Sequence, residues 1–78
     1  MSAETERLTA QINTAATDAE RASLYYKRGR AFWQAGDKAA AISDYEHAAA
    51  LDPQSEAATA LELARDVMNF YHRERFNP

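Results

Sequence analysis

The sequence predicts an all-α fold, an antiparallel bundle of about four helices, on three observations. Alanine fills 18 of the 78 positions, whereas Val, Ile and Thr together fill 8. Alanine loses no side-chain entropy in a helix and β-branched residues do, so this balance favours helix over strand. Glycine and proline are scarce, two of each, and stand as punctuation at Gly36-Asp37, at Asp52-Pro53 and at Pro78. A further break falls at Thr17-Asp18-Ala19-Glu20, a capping box in which a hydroxyl and a carboxylate each satisfy a backbone N–H at a helix start. These breaks divide the chain into helices at about 3–14, 18–35, 38–51 and 54–73.

The first of these carries only Leu8, Ile12, Ala15 and Ala16 as apolar residues, so residues 1–17 are expected to dock weakly and to fray. At 100° per residue the second helix sets Leu24, Tyr25, Arg28, Gly29, Ala31, Phe32 and Ala35 on one broad face. Tyr26, Arg30 and Trp33 form a separate stripe beside it. Two faces imply two contacts. The third helix opposes Ala41, Ile42, Tyr45, Ala48 and Ala49 to Ser43, Glu46 and His47, the pattern of a helix packed on one neighbour. In the fourth, apolar residues from Ala57 to Tyr71, among them Leu63, Val67 and Phe70, sweep about half the circumference, wider than a surface helix needs. The remaining residues, 74–78, form a tail in which Asn77 before Pro78 leaves helical geometry, with Phe76 at its tip.

From Ala22 to Ser55 the spacing Tyr25, Gly29, Phe32, Gly36-Asp37, Ala41, Tyr45, Ala48, Asp52-Pro53 runs without insertion and resembles one tetratricopeptide repeat, a 34-residue antiparallel helix pair. Gly29 permits close crossing, Ala41 and Ala48 keep the facing surface small, and Gly36-Asp37 makes the turn. Pro53 is expected to start the next helix, where its missing N–H is harmless. Arg28 departs from the pattern, standing where the family usually has Leu; its stem is expected to pack while its charge reaches solvent. By resemblance the fourth helix, 56–73, closes the repeat, and the first is a degenerate remnant of a preceding one. Such arrays generally need about three repeats, so a short solenoid with one suggests that a second copy or a partner completes the core.

The chain holds one small domain, 1–78. It has no cysteine, an acidic N-terminal stretch and no long apolar run, so neither disulfides, a secretory signal nor a membrane span is expected, and the cytoplasm is the expected compartment. A net charge of -3 disfavours a nucleic-acid binder, although Arg21, Lys27, Arg28, Arg30 and Lys38 cluster in the second helix and the following turn. His47 and His72 lack metal-ligand spacing, and Asp44, Glu46, Asp52 and Glu56 read as solvated charge. No nucleophile or phosphate-loop motif occurs, so no catalytic residue, metal or cofactor is expected and the chain does not read as an enzyme.

What the resemblance implies instead is a protein-interaction adaptor whose inner helix face receives a peptide or protein, an acidic one by the charge of that face. Here that face is Ser23, Tyr26, Lys27, Arg30, Trp33 and Gln34, rich in the types that dominate binding hot spots. A plainer role for Tyr26 and Trp33 is packing against the first helix. Family members that grip a terminal carboxylate use Lys and Asn where this chain has Tyr26 and Arg30, so that clamp is not reproduced. The alternative is a self-assembling module that forms a homodimer through Leu63, Val67, Phe70 and Phe76.

Overall fold

A computed structural model describes the backbone of residues 2–76 and the side chains of residues 2–70. Among the described residues it is all-helical: α1 (Ala3–Thr14), α2 (Asp18–Gln34), α3 (Lys38–Leu51) and α4 (Glu56–Phe76). Each neighbouring pair packs in chain order, α1 on α2, α2 on α3 and α3 on α4, with a lighter contact between α2 and α4. The molecule is accordingly flat, 50 × 28 × 12 Å, about one helix diameter thick.

The helix starts are built by side chains. Ser2, Thr17 and Asp37 cap α1, α2 and α3, accepting from the backbone N–H of Thr5, Glu20 and Ala40. At α2 the reciprocal half of the capping box is present one residue early: the Glu20 carboxylate accepts from Ala16 N–H at 3.2 Å. Helix α2 ends in a Schellman motif, with Asp37 N–H donating to Phe32 O and Gly36 N–H to Trp33 O. Gly36 takes the left-handed φ of 90° that this closure needs.

Pro53 does not begin the fourth helix. Asp52 is extended, as a residue before proline prefers, its side chain accepts from Gln54 N–H at 3.2 Å, and the helix starts only at Glu56.

The core is small and alanine-rich. Ala22, Ala48 and Ala57 form one buried cluster, and Ala41, Tyr45 and Ala64 a second. Gly29 lies against the second: a Cβ there would come within 2.7 Å of the Tyr45 ring and 3.2 Å of Ala41 O. The glycine thus sets the closeness of α2 and α3.

Helix α1 is seated more fully than its few apolar residues suggest, because Thr5, Leu8 and Ile12 are all buried. Burying Leu8 and Ile12 contributes about 2 kcal/mol each relative to exposure. A polar tie adds to this. The Arg28 guanidinium donates from Nε and Nη2 to both oxygens of Asp44, each at 2.7 Å, and from Nη1 to Thr9 Oγ1 on α1 at 3.0 Å. Two expectations are corrected here. The charge of Arg28 turns to Asp44 and Thr9 instead of pointing out into solvent, its side chain being only 18% exposed, and Asp44 is buried, its side chain being 5% exposed. The departure from the family's Leu is matched by a carboxylate one helix away, a pairing that a single helix wheel does not reveal.

Candidate functional site

Tyr26 and Trp33 lie on the side of α2 that faces α4, and Arg30 stands between that side and the one that faces α1. The two aromatic residues are half-buried. Tyr26 touches both core clusters and meets the Tyr45 ring at a centroid distance of 5.9 Å; Trp33 packs against the Ala41, Tyr45 and Ala64 cluster. The alternative role for them, packing on the first helix, is not what these contacts show: Leu8 of α1 lies instead beside Lys27, Ala31 and Gln34 of α2.

With Tyr45 from α3, these residues make one wall of a groove of about 320 Å³. Ala60 and Ala64 of α4 keep its floor low, and Leu63 and Val67 make the opposite wall. The groove is open on the outside, where Leu63 is 61% exposed. One cation, Arg30, stands at its edge, and Lys38 Nζ covers the Trp33 ring at 4.0 Å, holding the indole in place. Burial against α4 and α2 pushes the Tyr45 hydroxyl above the ordinary tyrosine value, and the neighbouring Tyr26 adds to the shift while Arg30 opposes it.

The structure thus joins two sets of residues that the sequence kept apart. Leu63 and Val67, expected to pair with a second copy, and Tyr26, Arg30 and Trp33, expected to receive a peptide, line the same groove. Tyr45 and Ala60 complete it, and neither stood out in the sequence as more than core, because only the return of α4 beside α2 makes them part of a groove lining. Phe70 is 57% exposed on α4 beyond this groove, and the side chain of Phe76 lies outside those described.

Lys27 and Gln34 face the opposite way, into a polar groove between α1 and α2, and Ser23 sits at the edges of two shallow depressions near the start of α2. The six residues of the predicted inner face are therefore divided between two sides of α2.

Among the titratable groups, His47 is exposed, bonds through Nδ1 to Ser43 O at 2.7 Å and stacks on Tyr25, while the side chain of His72 lies outside those described. Glu46 pairs with Arg65 at the surface, at 3.0 Å. No cluster of three or more His, Cys, Asp or Glu occurs among the described residues, and no described helix is long and apolar enough to cross a membrane.

The tetratricopeptide repeat model matches residues 22–55, the helix pair α2–α3 with its two turns. Residues 22–55 are a tetratricopeptide repeat. The chain is similar to a segment of human Tetratricopeptide repeat protein 16, 43% identical over 53 residues that make up 67% of this chain. The chain covers only 6% of that relative's length. No solved structure matches the chain. In repeat terms, α2 and α3 are the two helices of the unit and α4 stacks on them as the next repeat's first helix would.

Proposed function

We propose that this chain is a non-catalytic interaction module that takes a peptide or protein segment in the groove between α2 and α4. The observation that carries this reading is the convergence of Tyr26, Trp33 and Arg30 with Leu63 and Val67 around one open apolar trough. Aromatic and Arg side chains with a desolvated apolar centre are the composition of binding hot spots, and Ala60 and Ala64 leave room for an incoming side chain. A repeat of this family is a protein-interaction unit, which agrees with the geometry.

The test is selection of displayed random dodecapeptides on the whole chain, followed by binding of the selected peptides to Leu63→Lys and Trp33→Ala. Leu63 is an exposed position, so its replacement leaves the helix pair intact. Peptides with an apolar anchor that lose at least tenfold affinity for both variants support the groove. Selected peptides that bind both variants as tightly as the parent chain refute it.

A second reading has the same groove and another occupant: α4 of a second copy, through Leu63, Val67 and Phe70. The exposure of Leu63 favours it. Light scattering over a hundredfold range of concentration separates the two readings. A dimer that Val67→Glu dissociates supports the second copy, and a mass that stays monomeric at all concentrations removes it.

A further inference from the structure

The distribution of cations carries a more specific statement about the partner. Of the chain's nine Lys and Arg residues, Arg73 and Arg75 fall outside the described side chains. Arg21, Arg28 and Arg65 are ion-paired with Asp18, Asp44 and Glu46, and Lys38 rests on Trp33. Arg7, Lys27 and Arg30 have no hydrogen-bond or ion-pair partner among the described residues, and all three line one groove of about 450 Å³ between α1 and α2. Glu4 is the one carboxylate in that lining. A chain with a net charge of -3 thus gathers its unpaired described cations on one concave surface.

We propose that the α1–α2 groove binds an acidic segment of a protein partner. Leu8, buried, and Ala31, half-buried, form an apolar floor on which an extended chain can lie. The exposed amides of Gln11 and Gln34 can each donate to and accept from a peptide backbone, and three cations meet the carboxylates. A nucleic acid fits less well. No aromatic residue lines this groove, so bases have no stacking platform, and three cations neutralise few phosphates.

Arg30 borders both this groove and the apolar one. The partner motif is therefore one continuous segment, an apolar anchor seated against Trp33 and Leu63 followed by acidic residues that pass Arg30 toward Lys27 and Arg7. This inference rests on the reading of the chain as an interaction module, while its own charge contacts can be tested without the apolar groove.

The experiment titrates a hexaglutamate peptide into the isotopically labelled full chain and follows backbone amide shifts, with hexa-asparagine and hexathymidylate as controls. The expected result is saturable movement of amides in 4–11 and 27–34, absent with hexa-asparagine. Affinity falls with added salt and drops about fivefold in the Arg7→Gln/Lys27→Gln double variant, the loss of two solvent-screened ion pairs. Leu63→Lys leaves hexaglutamate binding in place, because that residue belongs only to the other groove. Shifts that match those of hexa-asparagine, or that map elsewhere, overturn the proposal. So does tighter binding of hexathymidylate at the same amides, which would assign the groove to nucleic acid. If hexaglutamate fails while selected peptides still depend on Leu63, the charge proposal falls and the apolar groove stands.

Discussion

Restoring the family's usual residue at position 28 should damage this chain. In Arg28→Leu the Asp44 carboxylate, 5% exposed, loses two hydrogen bonds of 2.7 Å and the compensating charge, and Thr9 loses its bond to the guanidinium. Breaking a buried pair from one side typically costs 3–5 kcal/mol. Because the Arg28 side chain retains 18% exposure, water can reach the vacated position, and about 3 kcal/mol is the appropriate figure. Asp44→Ala should cost less, about 2 kcal/mol, since the freed guanidinium can turn outward along its long stem. The double variant buries no charge, and replacing an ion pair by apolar groups is often nearly neutral, so its cost should not exceed about 2 kcal/mol. The coupling energy is then about 3 kcal/mol. For a domain of this size the single Arg28→Leu change lowers Tm by roughly 10–25 °C. Thermal unfolding by circular dichroism on the four members of the cycle measures this. Additive losses, or an Arg28→Leu variant as stable as the parent, would refute the claim that the two charges stand or fall together.

Gly29→Ala gains about 1 kcal/mol of helix propensity, but its new methyl comes within 2.7 Å of the buried Tyr45 ring and presses on a backbone carbonyl. Overpacking of this kind costs about 1–3 kcal/mol, so a net loss near 1 kcal/mol is expected in chemical denaturation; a more stable variant would show that α2 and α3 can part freely. Tyr45 has its pKa raised by burial, so the folded state favours the neutral phenol. That contribution is full below the unfolded value of about 10 and is lost as pH rises through the higher folded value. Stability should therefore fall above pH 10, and less steeply in Tyr45→Phe, as read by denaturation at a series of alkaline pH values. Leu8→Ala should cost about 2–4 kcal/mol and release α1, seen as rapid amide exchange over residues 3–14; unchanged protection would mean that Ile12 and the Arg28 bond to Thr9 hold the helix without Leu8.

The repeat was legible in the sequence because its residues interact at short range or at fixed spacing. Thr17 and Asp37 cap the helices that follow them, Gly36 closes α2 through its own backbone, and Gly29, Ala41, Tyr45 and Ala48 pack within one helix pair. Helical periodicity locates the apolar face of each helix without any knowledge of its neighbours. Helix α4 starts at Glu56, two residues beyond the 54 that the Asp52-Pro53 break alone suggests, because Asp52 offers its carboxylate to Gln54 in a turn, and it runs to Phe76 through the first residues of the expected tail.

The local sequence determined this protein's helices, their caps and the close crossing at Gly29, all of which depend on contacts within one repeat. Only the tertiary structure decided which side of α2 each candidate residue serves. A wheel places Tyr26 next to Lys27 and Trp33 next to Gln34, but the docking of α1 on one flank and α4 on the other sends the first of each pair to an apolar groove and the second to a basic one. The fate of a charge was equally a matter of assembly. Asp44 and Arg28 are 16 positions apart on different helices, and each alone reads as solvent-exposed; packing brings them to 2.7 Å, where desolvation makes the pair obligatory.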